Sequence, residues 1–431
     1  MKRGLLVVTV LLTLALVVSA LGQSDKQAVI IYTGSAHGKL KPCACSPESD
    51  MGGILRRDTK LLEVRKQYPN SILLEAGRVF GEPSEQNRLN ARAYLASVRR
   101  LGYDAIALGS SDLMYGRAFL EKHGAGLLFV SNLRWKNHNS PLTITRKIIN
   151  RGQQTFEVFG IIFPEDVYTG EQADIEVDDP SVFLQRHCQP GFPTIVLCAT
   201  SNERARTLVS LPQVEVVINA TPTDNILDQP QYQFTDGRVF AEGALYGSRI
   251  GVLRAHWANG RLAQVANEFV ELNNEIADGE RVREYFEEYE AATKKLFLAQ
   301  LAGRPAFDTE ASPYAGSQSC ARCHQEAFAV WQSSRHANAW ASLKKVNKQF
   351  DSECISCHVI GYGSEGGFHS EQESPQLLNV GCEACHGPGK KHISNQRNEL
   401  ESFTLRNCIR CHNAERSPNF KTTKAWVKIR H

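Results

Sequence analysis

Methionine is scarce in this chain of 431 residues: three in all, Met1, Met51 and Met114, so nothing after Met114 can offer a thioether. An excess of one charge is also missing. Lys and Arg number 49, Asp and Glu 46, for a formal net charge of +3. Nothing in a charge so near neutrality suggests nucleic acid as a partner. Long apolar runs are missing too, with one exception. "GLLVVTVLLTLALVVSALG", Gly4 to Gly22, follows basic Lys2-Arg3 and ends in small residues. It reads as an export signal over residues 1–22, cleaved near Gly22; the alternative is an uncleaved anchor helix. No cysteine follows it, so a lipid anchor is not indicated, and no later segment could span a membrane. The rest of the chain is therefore expected in the periplasm or outside the cell.

Cysteine, by contrast, is plentiful: twelve residues in a compartment where stray thiols are rare. Eight fall in four copies of C-x-x-C-H: Cys320/Cys323/His324, Cys354/Cys357/His358, Cys382/Cys385/His386 and Cys408/Cys411/His412. Two thiols three positions apart reach the two vinyl groups of one porphyrin, and the next histidine ligates its iron. Zinc also takes C-x-x-C pairs, but it has no need of a histidine directly after each second cysteine. Four such motifs in an exported chain predict four covalently attached haem c groups.

Four further histidines, His336, His369, His392 and His431, accompany the four motif histidines in this region. With no methionine at hand, a second axial ligand must be histidine, which favours bis-histidine, low-potential haems that carry electrons. His336 lies in an expected helix with Phe328, Trp331 and Trp340 facing a ring. His392 follows a Gly-Pro-Gly turn, His431 ends the chain, and His369 sits in a glycine-rich loop. Were His369 not a ligand, one haem would be five-coordinate or would take its ligand from a neighbouring chain. Four haems in about 120 residues must nearly touch and replace much of the apolar core. Lys390, Lys391, Lys421, Lys424, Lys428 and Arg430 either pair with haem propionates or form a solvated face.

"SCARCHQEAFAVWQSSRHANAW", "NVGCEACHGPGKKH" and "CIRCHNAERSPNF" resemble the tetrahaem cytochrome c-554 family over about Ser317 to His431. The resemblance implies a mostly α-helical, haem-packed domain and electron transfer between redox proteins. It also implies distal ligands at His336 and His392, and allows one five-coordinate haem.

Upstream, "AVIIYTG", "SILLEAG", "YDAIALG", "GLLFVSN", "VFGIIF", "TIVLCAT" and "VEVVIN" are short β-branched runs separated by helical stretches. They predict an α/β layered domain of buried strands, with functional residues on loops at strand ends. "IIYTGSAHGKL", "GGILRRDTKLLEVRKQYPNSILLEAGRVFGE" and "LGYDAIALGSSDLMYG" resemble the metallophosphoesterase sandwich of the 5′-nucleotidase family. That resemblance implies two metals held by an Asp and a His after the first strand, a bridging Asp after the second and an Asn-His pair after the third. Here Ser35, Arg78 and Ser110-Ser111 stand at those positions, and only His37 remains. An arginine at the bridge opposes two-metal hydrolysis, so the domain is expected to be a catalytically inactive scaffold. Cys43 and Cys45 are each expected to bond to one of Cys188 and Cys198; the alternative is a redox or metal site using Cys-Ala-Cys with His37.

The expected organisation is a signal (1–22), a degenerate phosphoesterase domain (23–275), a connecting helix and linker (276–311) and a tetrahaem domain (312–431). The expected role is electron relay between partner proteins. Alternatives are a haem oxidoreductase for a small nitrogen or sulfur compound, a phosphoesterase with a redox accessory, and a self-assembling filament.

Overall fold

The computed structural model describes residues 26–152, 154–167, 174–258, 260–395, 400 and 404–431; the expected export signal lies outside them. The chain divides into two compact units. One holds the residues up to Pro42 and Asp50–Tyr285; the other holds Cys43–Ser49 and Phe286–His431. The boundary falls in the first turns of a helix, Arg283–Ala302, and the short Cys43–Ser49 segment goes with the second unit.

In the first unit the β-branched runs become strands. In chain order they are β1 (Lys26–Thr33), β2 (Ile72–Glu75), β3 (Ala105–Ala107), β4 (Leu128–Phe129), β5 (Leu133–Trp135), β6 (Lys147–Arg151), β7 (Gln154–Ile161), β8 (Ile175–Val177), β9 (Thr194–Cys198), β10 (Val216–Ala220), β11 (Tyr232–Thr235), β12 (Arg238–Gly243), β13 (Arg249–Ala258) and β14 (Arg261–Glu271). Two six-stranded mixed sheets result, ordered β14-β13-β1-β2-β3-β4 and β11-β12-β10-β9-β7-β6, and β5 pairs with β8. β1 to β4 run parallel, as do β7, β9, β10 and β12; the outer strands β13, β14, β6 and β11 are antiparallel to their neighbours.

Alternation along the strands sets the layers. Ile30 and Tyr32 of β1, Ile72 and Leu74 of β2, Phe156 and Val158 of β7, and Ile195 and Leu197 of β9 share the core between the sheets. The intervening Phe159, Ile161, Val196 and Cys198 face outward against Phe183, Leu184, Ala205 and Leu208 of helices Pro180–His187 and Asn202–Val209. Each fully buried aliphatic side chain contributes roughly 1.5–3 kcal/mol. The strands are covered on both faces, which explains why they read as continuous apolar runs.

The second unit is short helices and turns around a small core of Phe297, Trp340, Leu343, Ile355, Val359, Ile360, Phe368 and Leu377. The helix expected to carry His336 is broken into Gln325–Ser333, a 3₁₀ turn Arg335–Asn338 and Ala339–Lys345. Trp340 lies in that core, 5% exposed. It packs on Phe368 at 5.2 Å between ring centres.

Candidate cofactor sites

Imidazole pairing organises the second unit. His324 of the first C-x-x-C-H motif faces His392 with ring centres 6.2 Å apart. His412 of the fourth faces His336 at 6.2 Å, and His386 of the third faces His431 at 5.8 Å. Two imidazoles bound to opposite sides of one metal ion have ring centres about 6 Å apart, from about 2 Å of metal–nitrogen bond and about 1 Å of ring radius on each side. Each pair joins one motif histidine to one histidine outside the motifs.

The hydrogen bonds suit ligation. Nδ1 of His358 lies 2.7 Å from the Ala339 carbonyl oxygen, and Nδ1 of His431 lies 3.2 Å from that of Ile429. An Nδ1–H donated to a carbonyl leaves Nε2 with its lone pair for a metal. Nδ1 of His412 meets the Ser417 hydroxyl at 3.1 Å, and Phe420 stacks on that imidazole at 4.2 Å. Burial holds the pKa of His336, His386 and His412 below the usual range, and neighbouring histidines push those of His336 and His386 the same way. The neutral, ligating form is thereby favoured.

His358 and His369 differ. Among the described residues no imidazole stands opposite His358. His369 is 8% exposed, its Nδ1 lies 3.2 Å from Glu373 Oε2, its Nε2 has no hydrogen-bond partner, and its ring is 6.5 Å from that of Phe307. It faces no motif histidine.

The motifs themselves adjoin. The thiols of Cys320 and Cys382 lie within hydrogen-bonding reach of each other, as do those of Cys357 and Cys411. Cys385 and Cys408 are near enough for their charges to interact. The four motifs therefore form a series: first, third, fourth, second.

Among the eight motif cysteines Cys323 differs in exposure. It is an exposed free thiol, whereas the other seven are half-buried. The reason is local. Cys323 stands in the turn between helices Ser317–Cys320 and Gln325–Ser333, where its N–H donates to the Cys320 carbonyl at 3.2 Å. That turn lies at the surface of the unit: Arg322, Cys323 and His324 are all exposed. The first motif is one end of the series.

Glu383, inside the third motif, was not singled out by the sequence. It is 5% exposed and accepts backbone N–H groups from Ala315 (2.9 Å), Gly316 (2.7 Å) and Gly389 (2.7 Å). One carboxylate thus fixes the approach to the first motif and the turn that presents His392. Trp331 Nε1 donates to the Val380 carbonyl at 2.8 Å, and Val380 N donates to that of His336 at 3.2 Å. These bonds tie the His336 segment to the chain entering the third motif.

In the first unit the loops after β1, β2 and β3 converge. Ser35, His37 and Arg78 are left-handed, with φ of 51°, 49° and 49°. Ser35 N donates to Gly77 O (3.0 Å) and His37 N to Arg78 O (3.0 Å). Ser35 Oγ and Arg78 Nη1 both donate to the Thr221 carbonyl, at 2.9 and 3.3 Å. Two of the positions where the family resemblance calls for metal-binding carboxylates are therefore occupied by hydrogen-bond donors. Buried Asp112 accepts from Gly109 N (2.8 Å) and Phe80 N (3.0 Å), and burial pushes its pKa up to about 7.

The cysteine pairing differs from expectation. Cys43 is bonded to Cys45, and Cys188 and Cys198 are free thiols. The Cα atoms of Cys43 and Cys45 are 5.2 Å apart, inside the range a disulfide spans; left-handed Ala44, φ 51°, brings the two side chains together. Burial pushes the Cys188 thiol up to about 12 and raises that of Cys198 further.

The family described as cytochrome c554 and c-prime matches residues 319–387. Cytochrome c-554 of Nitrosomonas europaea is 35% identical over 107 residues, covering 21% of this chain and 46% of that protein. The snake venom 5′-nucleotidase of Naja atra is 24% identical over 293 residues, covering 60% of this chain and 55% of that one. The chain thus spans about half the length of each. Among solved structures, a 5′-nucleotidase precursor from Thermus thermophilus aligns with a TM-score of 0.53 at 16% identity, over 75% of this chain and 68% of its own. A calcineurin-like phosphoesterase from Bacillus subtilis aligns at 0.51 and 15%, over 62% of this chain and 98% of its own. The C-terminal region is similar to cytochrome c-554, and the N-terminal part has the fold of the 5′-nucleotidases.

Proposed function

We propose that the protein is an exported electron carrier with four covalently bound haem c groups in its second unit, and that its first unit is a phosphoesterase fold without phosphoesterase activity. The carrying observation is the set of three imidazole pairs about 6 Å apart, each containing one motif histidine. In this reading Cys320/Cys323, Cys354/Cys357, Cys382/Cys385 and Cys408/Cys411 form the thioethers, that of Cys323 at the surface. His324/His392, His386/His431 and His412/His336 would each hold one iron, and His358 would be the protein ligand at the second motif. Haem c so held supplies a one-electron Fe(III)/Fe(II) couple at each motif. The chain's own residues fix the imidazoles through Ala339, Ile429 and Ser417, and hold neighbouring motifs close enough for the series to act as one conduit between redox partner proteins.

His358 supports a second reading, a haem oxidoreductase acting on a small nitrogen or sulfur compound at the second motif. In the first unit, donors at Ser35 and Arg78 argue against a metal pair. Purified from an exporting host with haem-maturation machinery, the protein should carry the mass of four haems. Given Mn²⁺ and a 5′-nucleotide, the same preparation should release no phosphate. A haem-free chain, or metal-dependent turnover, would overturn the respective half of the reading.

A further inference from the structure

The Cys43–Cys45 cystine has no evident structural purpose. It closes a ring of only three residues, so it removes little entropy from the unfolded chain. It also holds Ala44 in a left-handed conformation that an L-residue adopts at a cost. Both half-cystines are exposed, and exposed disulfides tend to be the redox-labile ones.

Its location gives it a partner. Cys43–Ser49 belongs to the same compact unit as the four C-x-x-C-H motifs. Ser46 and Ser49 bond each other's backbone N–H, at 3.0 and 3.3 Å, making a closed turn directly after Cys45. Ser49 is buried, and its hydroxyl donates to the Arg416 carbonyl at 3.3 Å. The side chain of Asn419 reaches Glu48. Arg416 follows the fourth motif by four residues, and its charge is felt at Cys357 of the second and Cys411 of the fourth. The turn is thus fastened beside one end of the motif series.

We propose that Cys43–Cys45 is a two-electron redox centre that exchanges electrons with the haems of this unit. The proposal rests on the haem reading above. In the reductive direction the cystine accepts one electron from each of two ferrous haems, the S–S bond breaks, and two protons from water complete two thiols. Both irons end ferric, and reoxidation reverses each change. Such a centre would couple one-electron carriers to a two-electron thiol/disulfide partner.

The test uses the full haem-loaded chain under anaerobic dithionite titration, with oxidised glutathione in a parallel vessel without the protein to show that the reductant does not itself attack disulfides. Haem content is measured separately by pyridine haemochromogen. Expected are two more reducing equivalents per chain than haems, and alkylation of Cys43 and Cys45, located by peptide mass, only after reduction while glutathione stays oxidised. The C43S/C45S variant should keep its haem content and lose the two extra equivalents. Equivalents equal to the haem count in the unsubstituted chain, or unalkylated Cys43 and Cys45 after full haem reduction, would overturn the proposal with the haem reading intact. A chain without haem would sink both, and the haemochromogen measurement identifies that case.

Discussion

A carboxylate that receives three backbone N–H groups inside a folded chain cannot be removed without leaving all three unsatisfied. Each orphaned donor costs about 1–3 kcal/mol, so Glu383→Ala should destabilise the haem-loaded second unit by roughly 3 kcal/mol or more in denaturant titration. Glu383→Gln, which keeps one acceptor oxygen, should lose less; a loss below about 0.5 kcal/mol for the alanine variant would contradict the clamp. Asp112 makes a prediction in pH. Its folded pKa is raised from 3.8 to about 7 by burial. Its contribution is therefore fully present below pH 3.8 and is lost as pH rises through 7, up to roughly 4 kcal/mol. Asp112→Asn, neutral throughout, should flatten that part of the first unit's stability profile; identical slopes would mean the carboxyl titrates normally. Neither residue was legible in the sequence. An acidic residue between two motif cysteines reads as solvated, and Asp112 stands in a loop whose family signature is lost. Only the fold shows which N–H groups surround them.

At the scale of the element, spacing and alternation revealed most. Every β-branched run quoted from the sequence falls on a strand or its immediate end, because a strand covered on both faces must be apolar throughout. The four C-x-x-C-H motifs were equally plain, since their chemistry is contained in five consecutive residues. Their burial was not: the same pattern leaves Cys323 exposed and the other seven cysteines half-buried, because neighbouring segments cover one motif and not another. Pairing was not plain either, because which histidine opposes which depends on contacts between distant segments: Trp331 with Val380, or Glu383 with Ala315 and Gly316. The helix carrying His336 reads as continuous in the sequence, yet it breaks near Ser334, and the break turns Trp340 into the core. The pairing predicts that His336→Ala, His392→Ala and His431→Ala each convert one low-spin haem to high spin, while His369→Ala changes none. Visible and EPR spectra of the four variants check this; a spin change in the His369 variant would restore that residue as a ligand.

For the whole molecule, the sequence conveyed two unlike halves but not their membership. The Cys43–Ser49 segment lies amid the phosphoesterase-like sequence yet belongs to the second compact unit, a long-range association that no local pattern encodes. The cystine within it departs from expectation because a separation of two residues looks too short to close, whereas left-handed Ala44 makes the closure possible. The proposed function would have three histidine pairs each hold one iron and His358 alone hold the iron at the second motif. The most direct measurement is quantitative EPR of the oxidised, haem-loaded chain, followed by CO addition to the reduced form. Expected are low-spin and high-spin irons in a ratio of three to one, with CO binding to one haem per chain. Four low-spin irons and no response to CO would contradict it, giving His358 a sixth-position partner that the pairing does not contain.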